Sequence, residues 1–264
     1  MNLGRSHPLL KRLRLLRKSA DARREQGVLI AEGVHLAREA LAAGCELEAA
    51  LFDPRLAASE EGADLLAALT EHDVPRHEIA ASVMDGLQDA RSPQPLLLIV
   101  RTAALAGRPW RTLRDPLVVV CDGVQDPGNF GAILRSADAA GAAALIATGP
   151  TADPHHPRTV RASMGSVFRL PLDRMELPAA TRRLRDENLT LIGTSVCAGE
   201  DYRDARLTGP CALFFGGEGA GLGEAVLHTL DRTVTIPLHA GVESLSVGAA
   251  VAVTLFEAVR QRRE

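Results

Sequence analysis

Leucines set the first periodicity in the chain. Leu9, Leu10, Leu13 and Leu16 follow Pro8 at helical spacing, while Lys11, Arg14, Arg17 and Lys18 fall mostly off that stripe, which predicts a basic amphipathic helix. A short apolar run at 28–31 reads as a strand, and 35–43 as a helix stopped by Gly44. The style repeats: strand 47–52, helix 62–71, a short strand near Glu78, and the apolar run 95–100. These alternating elements predict a small α/β domain over residues 1–101. The stretch 102–116, with Gly, Pro and no periodicity, is the expected linker.

From residue 117 the pattern is more regular. It predicts strands at 117–121, 144–147, 167–170, 190–194, 212–215 and 234–236, with helices at 131–140, 179–187 and from 245 to about 261. The runs LVVVC, TLIGT and ALFFG are apolar without alternation, as strands are when helices cover both faces of a parallel sheet. Residues 117–264 are therefore expected to form an α/β domain on a parallel sheet.

Composition narrows the function classes. Hydrophobic residues make up 46% and charged residues 24%, which excludes disordered, collagen-like and coiled-coil chains. No apolar run reaches the roughly 18 residues of a membrane span, and no targeting signal is visible, so a cytoplasmic protein without a membrane partner is expected. Cys45, Cys121, Cys197 and Cys211 are scattered with no C-x-x-C pair, which speaks against a zinc site or a disulfide scaffold. His155 and His156 are adjacent in a Pro-flanked loop and do not converge on a metal. The net charge is −3, yet the first 26 residues hold eight Lys or Arg against two acids. Such a cluster suits phosphate contacts, with Lys11, Arg14 and Arg17 as candidates, or is a solvated helix face. The scarcity of aromatics argues against base-stacking platforms.

Ligands of parallel sheets sit beyond the carboxyl ends of the strands, and three such loops are unusual. DGVQDPGN follows the strand at 117–121, GGEGAGLG follows that at 212–215, and HAGVESLSVG leads into the last helix. No G-x-G-x-x-G follows the first strand of this sheet, and neither a phosphate-binding P-loop nor a G-x-S-x-G nucleophile elbow occurs. Dinucleotide, phosphate-loop and serine-hydrolase chemistry are thereby set aside.

The set N-F-G-A-I-L-R at 129–135, R-A-S-M-G-S at 161–166, F-F-G-G-E-G-A-G-L at 214–222 and I-P-L…E-S-L-S-V at 236–247 resembles the signature motifs of the SpoU/TrmH family. These are RNA ribose 2′-O-methyltransferases of the SPOUT superfamily. The segment 23–41 is similar to the accessory substrate-binding domain of the family's ribosomal-RNA branch, which has a small ribosomal-protein-like fold. The resemblance implies an N-terminal RNA-binding domain, a C-terminal domain with a deep trefoil knot, and a homodimer acting on ribosomal RNA in preference to tRNA. It also implies S-adenosylmethionine as cofactor, held at Gly216, Ile236 and Leu245 with Thr194, Gly217 and Gly219 as neighbours. Arg135 takes the role of orienting or deprotonating the ribose oxygen, Asn129 that of fixing the target nucleotide, and Glu218, Ser244 and Ser246 complete the shell. An arginine base is chemically awkward, because guanidinium keeps its proton to a pKa above about 12. The chain also departs from the family pattern: Ser246 stands where Asn is usual, and Gly248 where a second Ser is usual. That departure leaves open a catalytically silent RNA-binding or ribosome-assembly protein on the same fold.

Overall fold

The computed structural model describes residues 3–4, 6–88, 93–102, 114–196 and 198–263. Most of the expected linker (103–113), Arg5 and Cys197 lie outside the described residues. The chain divides into two compact units, Met1–Leu105 with His155–Phe168, and Ala106–Pro154 with Arg169–Glu264.

The first unit opens with α1 (Pro8–Lys18), whose start is fixed by Pro8 and by the His7 ring nitrogen accepting from the Leu9 amide at 3.2 Å. Leu10, Leu13 and Leu16 are fully buried, each stabilising the helix on its core by about 1.5–3 kcal/mol. Ser19 ends α1 and caps α2 (Ala20–Gln26), which closes on Gly27 in the left-handed conformation. There follow β1 (Val28–Glu32), α3 (Val34–Ala42), β2 (Leu47–Phe52), α4 (Pro54–Ala57), α5 (Glu60–Glu71), β3 (Arg76–Glu78), α6 (Ala81–Asp85) and β4 (Leu96–Arg101). The sheet order is β1-β4-β2-β3, antiparallel except for the β2–β3 pair. Alternate residues point to opposite cores: Leu29, Ala31, Leu96 and Leu98 to one, Val28, Ile30, Leu97 and Ile99 to the other.

The second unit contains β5 (Leu117–Asp122), α7 (Pro127–Ala139), β6 (Ala144–Thr148), β7 (Leu172–Arg174), α9 (Leu177–Asp186), β8 (Thr190–Thr194), β9 (Glu200–Asp201), β10 (Cys211–Gly216), α10 (Glu224–Leu227), β11 (Arg232–Thr235) and α11 (Val247–Arg263). The remaining helix, α8 (Pro157–Ala162), belongs to the first unit. The seven strands run in the order β7-β6-β5-β10-β8-β11-β9, and every pair is parallel. Helices cover both faces. Phe130 and Ile133 of α7 and Val251 and Leu255 of α11 pack with Val119 and Leu213, while Ala180 and Leu184 of α9 pack with Val118 and Phe214 on the other side. Among the described residues, no helix is long and apolar enough to cross a membrane.

Two expectations about elements are corrected. The apolar run at 167–170 is not a strand: Ser166–Phe168 form a 3-10 turn behind Gly165 at φ +94°, and the strand comes after Pro171. Val167 and Phe168 are apolar because they enter the first unit's core beside Val160 and Leu29. His155–Phe168, within the second expected domain, groups with the first unit. Lastly, α7 starts a turn early, because Asp126 accepts from the Asn129 amide at 2.9 Å and Pro127 occupies the first helical position.

Candidate active site

Three neighbouring strands of the second unit end at one hollow. Thr194 is the last residue of β8, Gly216 the last of β10, and Ile236 follows β11 directly. These residues line a cavity of about 270 Å³, which Gly217, Gly219 and Leu245 also line. All six positions expected around a cofactor therefore share one cavity at the carboxyl end of a parallel sheet, where ligands of such sheets lie. Glu218 and Ser244 line it as well.

Glycine is required at two of these points by close approach. A Cβ on Gly216 would stand 2.0 Å from the Gly221 carbonyl carbon, and one on Gly217 would stand 2.1 Å from the Gly123 carbonyl oxygen. The turn is closed by the Gly221 N–H donating to the Gly217 carbonyl at 3.1 Å. At these two points the cavity wall is bare backbone. The Thr194 hydroxyl donates to the Phe214 carbonyl at 3.1 Å, locking the ends of β8 and β10 together.

Glu218 is gripped from the start of α7. The Asn129 side-chain amide donates to its Oε1 at 2.8 Å and the Gln125 backbone N–H to its Oε2 at 3.2 Å. Burial pushes the carboxyl up, but the bonds from Asn129 and from the Glu218, Gln125 and Asp126 amides outweigh it and hold the group below its ordinary value. A carboxylate therefore stands at the cavity wall at neutral pH. Asn129 is not the helix cap, a role that falls to Asp126, so its side chain is committed to Glu218.

Two of the expected catalytic residues sit elsewhere. Arg135 is exposed on α7, about 9 Å further along the helix axis than Asn129, and does not line the cavity. It has no hydrogen-bond or ion-pair partner among the described residues. Ser246 caps α11: its hydroxyl accepts from the Ala249 N–H at 3.3 Å and its carbonyl from the Ala250 N–H at 3.0 Å. Serine and asparagine are near-equivalent caps, so the departure from the family pattern costs this helix little.

The N-terminal cations divide in the same way. Lys11 is exposed and Arg14 half-buried. The Arg17 side chain is only 9% exposed and pairs at 3.3 Å with Glu32, itself 1% exposed, which also pairs with Arg161. Arg17 is thus turned inward, because β1 ends in a buried carboxylate that needs a counter-charge. Arg12 pairs with Glu48, and Arg23 is buried, donating to the Leu16 carbonyl at 2.5 Å.

Ser195, Leu222, Leu227 and Leu238 also line the cavity; Leu222 and Leu238 fall within the family motifs, whereas Ser195 and Leu227 lie outside them. Ser195 follows β8 directly, so the rule about strand ends would have found it. Leu227 comes from a short helix after the glycine turn, and no local pattern marks it.

Residues 116–256 match the model of the SpoU rRNA Methylase family, and residues 7–98 match the MRM3-like substrate binding domain. The 23S rRNA (guanosine(2553)-2′-O)-methyltransferase RlmP of Bacillus subtilis is 30% identical over 236 residues, 89% of each chain. RlmB of Vibrio parahaemolyticus, a 23S rRNA (guanosine-2′-O-)-methyltransferase, is 41% identical over 148 residues; the match takes in 56% of this chain and spans 60% of that relative's length. Among solved structures, the SpoU methyltransferase AviRb of Streptomyces viridochromogenes, in complex with the cofactor S-adenosylmethionine, superposes with a TM-score of 0.86 at 30% identity over 98% of this chain and 99% of that one. A family model covering more than half of the sequence, joined by a relative alike over nearly nine-tenths of both lengths, makes this chain a member of the SpoU rRNA methylase family.

Proposed function

We infer that this chain methylates the 2′-hydroxyl of a ribose in ribosomal RNA, with S-adenosylmethionine as methyl donor. The observation that carries the reading is the convergence of Thr194, Gly216, Gly217, Gly219, Ile236 and Leu245 on one cavity walled by an ionised Glu218. At about 270 Å³ the cavity is at the small end of cofactor pockets, and its mix of backbone, leucines and a few hydroxyls suits an adenosyl group. When bound, S-adenosylmethionine supplies an electrophilic methyl group on a positively charged sulfur.

Each residue contributes a separate part of the reaction. The Gly216–Gly221 turn presents backbone donors and acceptors without side-chain bulk. Glu218 offers negative charge to a cationic ligand, and its bond to Asn129 fixes both groups for the target nucleotide. Ser244 adds a hydroxyl to the wall. Arg135, exposed and unengaged among the described residues, orients the ribose oxygen and an adjacent phosphate through its planar fork of donors. Holding the attacking oxygen in line supplies much of the rate.

The first unit binds the ribosomal RNA, with Lys11 and Arg14 on phosphates. Two copies associate through the second unit, where Val253 and Phe256 of α11 are 37% and 49% exposed. The C-terminal segment is knotted, as the family resemblance implies, and the enzyme works in the cytoplasm. Ser246 gives no separate support to a catalytically silent protein, because its hydroxyl has a structural task at the start of α11. The test is transfer of radiolabelled methyl from S-adenosylmethionine to ribosomal RNA, with 2′-O-methyl mapping of the product. Labelled RNA carrying a new 2′-O-methyl ribose is expected; no transfer to free ribosomal RNA or to ribosomal subunits overturns the reading.

A further inference from the structure

Thr151 lies outside the motifs and does not line the cavity, yet it is 4% exposed and its hydroxyl is fully engaged. The oxygen accepts from the Gly123 N–H at 2.9 Å and donates its single proton to the Thr148 carbonyl at 2.6 Å, with the Cys121 carbonyl a second acceptor at 3.1 Å. Gly123 turns the chain off the end of β5 with φ +72°. One residue on, the Val124 carbonyl accepts from the Ala152 N–H at 2.8 Å. The loop after β5 is therefore clamped at two consecutive residues to the loop after β6.

That clamp reaches the cavity by two routes. The Gly123 carbonyl is the group against which Gly217 packs. The next amides along the chain, of Gln125 and Asp126, point at the Glu218 carboxylate. We propose that Thr151 is a positioning residue: its hydroxyl anchors the Gly123–Asp126 turn and thereby sets the backbone amides that receive Glu218 and the contact that seats Gly217. The role deepens the methyltransferase reading and rests on it for its catalytic consequence, whereas its structural content stands on the bonds alone.

Thr148 provides an internal control. It too is fully buried, but its hydroxyl donates to Asp122 Oδ1 at 2.7 Å and makes no bond to the turn. The groups facing Glu218 are Asn129 and the Gln125 and Asp126 amides from the start of α7, its own amide, and, from β5, the Cys121 thiol, which burial first and the charges of Asp122 and Glu218 next hold protonated.

The experiment follows the Glu218 carboxyl carbon by NMR across an acid titration, the signal being assigned by its loss in Glu218→Gln. In Thr151→Val the Glu218 titration moves up toward the ordinary glutamate range, while Thr151→Ser and Thr148→Val titrate like the wild type. In parallel, kcat for ribosomal RNA methylation falls about tenfold in Thr151→Val and recovers in Thr151→Ser. The proposal is overturned if Glu218 titrates alike in wild type and Thr151→Val, or if Thr148→Val shifts it as much. Should Thr151→Val fail to fold, the Thr151→Ala and Thr151→Ser pair is read in the same way. A wild-type protein that transfers no methyl sinks the methyltransferase reading alone, because the titration still decides the role of Thr151.

Discussion

Asn129 and Glu218, 89 residues apart in sequence, are joined by a 2.8 Å hydrogen bond from the side-chain amide to Oε1. The bond ties the first turn of α7 to the glycine turn after β10, so one substitution tests both. Asn129→Ala is expected to slow methyl transfer roughly tenfold, the low end for a lost hydrogen bond to a charged group that is mostly exposed. Stability should change by less than about 0.5 kcal/mol, whereas Asp126→Ala should cost about 1 kcal/mol, because Asp126 is the cap. Urea denaturation beside a radiolabel assay separates the two; equal destabilisation would contradict the assignment.

The same bond sets a pH dependence. The folded-state Glu218 carboxyl lies below its ordinary value, so its contribution is present above the unfolded-state pKa and is lost as pH falls through the depressed one. The acid limb of the single-turnover rate should therefore lie below the usual glutamate range of about 4.3 in the wild type. In Asn129→Ala it should move to higher pH. An acid limb that stays fixed would show that the carboxylate is not required.

Arg135 is exposed and unengaged among the described residues, so Arg135→Ala should alter stability by no more than about 0.5 kcal/mol. Methylation should nonetheless be abolished while calorimetric cofactor affinity is retained. Arg135→Lys should fail too, since an ammonium does not reproduce a planar fork of donors. Equal transfer by wild type and Arg135→Ala would remove Arg135 from the reaction.

At Ser246 the expected effect is on the helix. Ser246→Ala should lower stability by about 1 kcal/mol through loss of the α11 cap, and Ser246→Asn should leave both stability and methylation close to wild type. Thermal melts of both variants check this. A Ser246→Ala protein with wild-type stability and no activity would return the residue to the chemistry.

The basic N-terminus should split into two behaviours. Lys11→Gln and Arg14→Gln should weaken RNA binding across all sequences and flatten its salt dependence, and for the exposed Lys11 stability should be little changed. Arg17→Gln should instead destabilise by about 1–3 kcal/mol, since Glu32 is buried and keeps, among the described residues, only Arg161 as ion-pair partner. Filter binding over a salt series, with denaturation alongside, distinguishes them.

What the sequence disclosed depended on whether a signal was local. The leucine stripe of α1, the apolar runs of β5, β8 and β10, and the glycine turn at 216–221 are all enforced by neighbouring residues, and each stands where the pattern predicts. The run at 167–170 deceived because its apolar character serves a core made by distant strands, and a window of a few residues does not distinguish a buried turn from a buried strand. Arg17 deceived for the same reason: its partner Glu32 is brought to it by the sheet. Thr151 left no trace, since a single hydroxyl in a polar loop carries no periodicity.

His155–Phe168 packs with the first unit although the chain on either side of it belongs to the second, so the backbone passes between the units three times. A fragment that stops at Leu105 would leave bare the apolar surface that Val160, Val167 and Phe168 cover, and should aggregate or melt early. A substitution at Phe168 is therefore a change to the first unit's core, although the residue lies within the 116–256 stretch that matches the methylase family.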